Sequence, residues 1–244
     1  MLMSVAEARL EALRQELARH GLDGFVVPIS DEHMSEYVGA YAQRLAWLTG
    51  FGGSAGTAVV LREEAAIFVD GRYTLQVQGE VDGRLYAYES VPQTSVAKWL
   101  GEHARPGMKI GYDAWLHGKR WADAASRALA EKGAQLVPVA ANPVDAVWLD
   151  RPAPSPAPAE PYPETLAGRS SAAKRADVAQ WLAEKGCAAV VVSALDSLAW
   201  LLNIRGSDVD RTPVALAFAL VRADGRAELF IAPEKVTDAL RRHL

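Results

Sequence analysis

Leu10, Leu13 and Leu17 recur at helical spacing behind Ser4-Val-Ala-Glu7, whose serine and glutamate have the positions of a capping box. His20-Gly21 ends that helix, and Phe25-Val26-Val27-Pro28 reads as a short buried strand. The same order returns later: a helix over 173–185 with Val178, Trp181 and Leu182 on one face, a stop at Gly186, and a β-rich apolar run over 188–193. The offset between the two units is 165 residues, from Gly21 to Gly186. Ala46-Trp47-Leu48 then matches Ala199-Trp200-Leu201 at an offset of 153, and the 12-residue difference falls where the first copy inserts 31–41. A glycine turn and an apolar strand follow each match, over 57–62 and 214–222. The pattern is that of an internal duplication.

The first copy continues as helix 94–104, strand 108–112, helix 117–132 and strand 135–141, ending in Trp148. Strands and helices alternating at these lengths predict an α/β domain with a layered sheet. At the 153 offset, Leu244 corresponds to about position 91 of the first copy, so the second copy is expected to be incomplete. The competing reading is a shorter second domain closed by a helix over 233–244. Six of the 13 prolines fall between Pro152 and Pro163. Proline fixes φ and removes a donor, which predicts an extended connector, although a surface loop inside one domain has the same composition. The expected organisation is domain I over 1–150, a linker over 151–165 and the start of a second domain over 166–244.

Composition narrows the function classes. The chain has 244 residues, 50% hydrophobic and 23% charged, which is a globular balance. With 26 Lys and Arg against 30 Asp and Glu, the net charge of −4 gives no electrostatic footprint for nucleic acid or an anionic membrane. No apolar run approaches the roughly 18–20 residues that span a bilayer, and 1–13 is a charged amphipathic stretch unlike a secretory signal. The lone Cys187 excludes an internal disulfide and a cysteine-based zinc site. A cytoplasmic protein is expected.

Gly52-Gly53-Ser54-Ala55-Gly56 fits the G-x-S-x-G pattern, but an apolar strand follows it where a serine hydrolase needs a helix. A tight turn between two buried strands, with glycines at positive φ, is the simpler expectation. Asp31-Glu32-His33 is the tightest His/carboxylate cluster and reads as a solvated helix-start turn. No complete catalytic constellation is found. Asp70-Gly71-Arg72-Tyr73 and Asn203-Ile204-Arg205-Gly206-Ser207-Asp208 each set an arginine beside glycine. Such a guanidinium can fork a ligand's carboxylate or carbonyl, or it can pair internally, Arg72 with Asp70 and Arg205 with Asp208.

Several of these stretches together resemble the Xaa-Pro aminopeptidases of the creatinase/prolidase superfamily. They are Ser35-Glu36-Tyr37, the run from Trp47 to Ala58, and Val69-Asp70-Gly71-Arg72-Tyr73-Thr74-Leu75-Gln76, with the runs from Ala194 to Val209 and Pro213-Val214 in the second half. Asn142-Pro143-Val144-Asp145 and the run from Trp148 to Pro152 match the join between domains, and the likeness extends from about residue 8 to 235. It implies two related α/β domains of the creatinase N-terminal, ribonuclease H-like type, with mixed sheets flanked by helices. It implies a metallopeptidase that removes the N-terminal residue before proline from proline-containing peptides, using a divalent metal pair, usually manganese. All the metal ligands would lie in a third domain, so the chain would hold no cofactor and be inactive alone. Arg72 would contribute to peptide binding, the Asn203–Asp208 stretch would be structural, and the complete enzyme could be a homodimer. A free-standing creatinase-like binding or dimerisation module, or part of a proline dipeptidase or creatinase, are the alternatives.

Overall fold

The computed structural model describes residues 3–244. Contacts divide the chain into two compact units. One holds the described residues up to Asp31 with Tyr41–Pro152, and the other holds Glu32–Ala40 with Ala153–Leu244. The nine residues 32–40 thus lie within the segment that the offset arithmetic marked as an insertion, yet they pack as part of the second unit.

The first unit runs α1 (Val5–Arg19), β1 (Gly24–Pro28), α2 (Arg44–Thr49), β2 (Gly56–Leu61), β3 (Ala65–Val69), α3 (Gln76–Glu80), β4 (Ala87–Ser90), α4 (Val96–His103), β5 (Lys109–Tyr112), α5 (Lys119–Ala130), β6 (Gln135–Pro138) and α6 (Pro143–Val147). Ser4 caps α1 through the Glu7 N–H, and the Glu7 side chain returns the bond, so the capping box is real. Strand order is β4-β3-β2-β1-β5-β6. β1, β2 and β3 form an antiparallel meander, whereas β4, β5 and β6 join in parallel, giving a mixed sheet. Alternation splits the side chains between two cores. Phe25, Val27, Val60 and Ile67 pack with Leu10, Leu13, Leu45 and Leu48 of α1 and α2. Val26, Val59 and Phe68 pack with Trp99, Leu100, Ala125 and Leu129 of α4 and α5. Helices therefore cover both faces.

The end of this unit is fastened by the residues around the predicted domain join. Arg44, only 5% exposed, forks Asp145 through Nε (2.7 Å) and Nη2 (2.9 Å). Arg151 reaches the same carboxylate at 2.8 Å and donates to the Tyr41 carbonyl. Trp148 stacks on Trp47, over which Arg9 lies.

The second unit contains β7 (Glu160–Pro161), α7 (Glu164–Ala167), α8 (Ser171–Glu184), β8 (Ala189–Val192), α9 (Leu195–Leu202), β9 (Ile204–Arg205), β10 (Ala217–Arg222), β11 (Ala227–Ile231) and α10 (Asp238–His243). The order β11-β10-β8 and its antiparallel pairings repeat the β3-β2-β1 meander. The duplication read from the sequence is a duplication of this helix-and-meander core. The proline-rich stretch is extended, and its distal end pairs β7 with β9. Among the described residues, no helix is long and apolar enough to cross a membrane.

Candidate functional site

The candidate site of the first unit forms where β3 ends and α3 begins, against the loop that leads into β2. Gly50 closes α2 at φ 85°, a left-handed conformation that side chains resist. The glycine turn thus joins a helix to a strand, unlike the strand–strand turn expected, and none of Gly52, Gly53 and Gly56 has positive φ. Gly53 is small for another reason: a Cβ there would lie 2.3 Å from Phe51 Cζ and 2.8 Å from Tyr73 Cδ1. The Gly52 N–H donates to Glu80 Oε2 at 2.8 Å, tying the turn to the end of α3.

Ser54 Oγ lies 2.8 Å from the Tyr73 hydroxyl, whose phenol this contact pulls below its ordinary range. This hydrogen bond joins the glycine turn to the turn before α3. Arg72 donates from its backbone N–H and Nε to Asp70 Oδ1 (2.9 and 3.1 Å), and from Nη2 to Asp70 Oδ2 at 2.7 Å. The guanidinium beside Asp70 holds its carboxyl below the usual carboxylate range. Its Cζ also lies 5.2 Å from the Tyr73 ring centroid. The Arg72 side chain remains 59% exposed, so the pair is a surface feature worth little to stability. The sequence placed Arg72 and Asp70 together; Ser54 and Tyr73, 19 residues apart, carried no local signal of their hydrogen bond.

The Asn203–Asp208 motif in the second unit is held by internal contacts of Asn203, Arg205 and Asp208. Asn203 ends α9 in the left-handed region at φ 51°. Its side chain accepts from Lys174 Nζ at 2.6 Å and donates to the Arg169 carbonyl at 2.8 Å. Lys174, 2% exposed, also donates to the Trp200 carbonyl, and burial lowers its pKa. Arg205 does not pair with Asp208. It donates to the Ala199 and Ile204 carbonyls and stacks over Tyr162 at 4.0 Å. Asp208 instead takes Lys235 Nζ at 2.6 Å on both oxygens, with side-chain exposures of 0% and 3%. The partner lies 27 residues away, beyond any local pattern.

His33 corrects another expectation. It is buried, its Nδ1 is 3.0 Å from the Ser193 carbonyl and its ring stacks on Phe218 at 4.4 Å, so it is no solvated turn residue. An apolar aromatic neighbour gives the segment a packing role that charge-rich Asp31-Glu32-His33 did not signal. No group of three or more His, Cys, Asp or Glu among the described residues could hold a metal ion.

Two family models match the chain, both described as the creatinase/prolidase N-terminal domain, over residues 9–147 and 150–244. A probable Xaa-Pro aminopeptidase P of Neosartorya fischeri is 37% identical over 241 residues, covering 97% of this chain and 36% of that protein. Aminopeptidase P1 of Arabidopsis thaliana is 36% identical over 231 residues, 94% of this chain and 36% of the relative. Among solved structures, an X-prolyl aminopeptidase of Caenorhabditis elegans, described as a cytosolic enzyme with a di-nuclear active site, aligns with a TM-score of 0.92 at 30% identity. That alignment covers 98% of this chain and 41% of the solved one. The chain spans only about a third of the length of the curated relatives it matches.

Proposed function

The chain belongs to the creatinase/prolidase N-terminal domain family, and on that premise we propose that it is the non-catalytic N-terminal portion of an Xaa-Pro aminopeptidase. The observation that carries the reading is one of proportion. Nearly the whole chain, 97%, aligns with a protein named for that activity while covering 36% of it. Among the described residues no cluster of His, Cys, Asp or Glu has the donors for a metal pair. The divalent pair, manganese by the family resemblance, belongs in this reading to the part of the relatives that the chain does not span.

The task left to these domains is to wall a cleft and orient the far end of a proline-containing peptide. Orientation by remote contacts lowers the entropic barrier at a reacting centre elsewhere. Arg72 is the residue we assign to that contact, on the family resemblance of Asp70-Gly71-Arg72-Tyr73; its guanidinium pairs with Asp70 but its side chain stays 59% exposed, within reach of a ligand. A cytosolic location accords with the description of the nematode relative, and the net charge of −4 favours a peptide partner over nucleic acid or an anionic membrane; a homodimer of the complete enzyme rests on the family resemblance alone. The test is direct. The purified chain incubated with manganese and a Xaa-Pro tripeptide should release no N-terminal amino acid above a protein-free control. Metal-dependent release would overturn the reading.

A further inference from the structure

We propose that the glycine turn 52–56 and Tyr73 form a rigid platform that holds the Arg72 guanidinium in one orientation, making Ser54 and Tyr73 positioning residues. The Tyr73 ring is restrained on three sides. Its hydroxyl meets Ser54 Oγ at 2.8 Å, and Phe51 meets the ring edge-on at 5.5 Å and 90°. Gly53 lies so close that a Cβ would come within 2.8 Å of two ring carbons. Phe51 is itself 0% exposed, in the same core as Leu45 and Leu48, so the restraint is continuous with the body of the unit. Arg72 lies above this ring, its Cζ 5.2 Å from the centroid, while Asp70 grips the Nε edge. A cation attracted to a ring face and forked at one edge has lost most of the freedom of its stem.

This arrangement gives the glycine-rich stretch a reason that neither hydrolase chemistry nor positive φ supplies. A side chain at position 53 would push Tyr73 away, and a residue without a hydroxyl at position 54 would free the ring's polar end. Ordering a long side chain on binding costs affinity, and an arginine ordered in the free protein avoids that cost. The kinetic part of the inference rests on the peptide contact assigned to Arg72 above; the ordering of Arg72 does not.

Two measurements test it. In the 244-residue chain, 15N relaxation of the Arg72 Nε–Hε group should give an order parameter above about 0.7. Tyr73→Ala should bring it below about 0.6, the range of flexible groups. A mobile Arg72 in the wild type overturns the platform. In the complete peptidase carrying this chain, Ser54→Ala and Tyr73→Phe should each raise KM for a Xaa-Pro tripeptide about three- to tenfold, as loss of one hydrogen bond allows. The kcat should stay within about twofold, Ser54→Thr should restore KM, and the double variant should be no worse than either single one, because both delete the same bond. Fully additive effects overturn the positioning role. An ordered Arg72 whose replacement by alanine leaves KM unchanged overturns the peptide contact, and the positioning role with it. A mobile Arg72 whose replacement raises KM overturns the platform alone.

Discussion

His117 shows how a single side chain sets an acid limit on stability. Its Nδ1 donates to the Asp113 carbonyl at 2.9 Å, and its ring lies 4.0 Å from that of Trp121. Nε2 is buried without a hydrogen-bond partner among the described residues. Burial disfavours the imidazolium and pulls the pKa below the ordinary value, against the opposing pull of Asp113. The unfolded chain, with His117 near pKa ~6.5, then takes up a proton before the folded one does. The neutral ring's contribution is therefore fully present above about pH 6.5 and is lost as pH falls toward the lowered folded pKa. Urea unfolding at pH 7.5, 6.0 and 5.0 should show a smaller acid-side loss for His117→Gln than for the wild type. Parallel losses would show that His117 titrates alike in both states.

At the scale of elements, the structure is held by long-range polar contacts that periodicity does not reveal. Lys235, in the turn before α10, bonds Asp208 and the carbonyls of Ser155 and Ala157, while Asp208 also accepts the Leu216 N–H. One buried pair thus fixes the proline-rich stretch, the loop after β9 and the start of α10. Removing one partner of such a pair strands the other, so Asp208→Asn should destabilise the second unit by about 3–5 kcal/mol. A well-packed Asp208→Leu/Lys235→Met replacement should recover much of that loss, and urea midpoints compare the two. Helices α1, α4, α5 and α8 and strands β1, β2, β5, β6, β8 and β10 were legible because their apolar residues repeat locally, and Leu10, Leu13 and Leu17 do line the α1 core face; the short helices between them and strands β3 and β11, which complete the two meanders, were not. Asp145 was legible only through family resemblance, and Trp148 also as the end of the first copy. The Asp208 partner, the burial of His33 and the Tyr73–Ser54 bond were not, because each depends on residues brought together from distant positions. The glycine turn was legible as a turn, but its cause is Gly53's closeness to two rings.

Across the whole molecule, the duplication places equivalent residues in unlike surroundings. Strand register pairs Ala217 with Ile231 as Gly56 pairs with Val69, and Ala189 with Arg222 as Gly24 pairs with Leu61. Phe230 therefore answers to Phe68, and Val191 to Val26. Phe68 is 1% exposed under Trp99 of α4, whereas Phe230 is 56% exposed; Val26 is 0% and Val191 66% exposed. The sequence has adapted in part: Leu61 and Ala66 of the covered face correspond to Arg222 and Glu228, which form an ion pair at 2.6 Å on the open one. One meander has thus been kept for two environments, one face closed by helices and the other partly apolar and partly charged. The cost of truncation should follow the surroundings and not the residue type. Phe68→Ala removes a side chain packed on both sides and should cost about 3–5 kcal/mol. Phe230→Ala should cost under about 1 kcal/mol, because little apolar surface leaves a packed interior. Chemical unfolding of the two variants side by side decides the matter: equal losses would mean that Phe230 is as tightly packed in solution as Phe68, and that the open face is closed by something else.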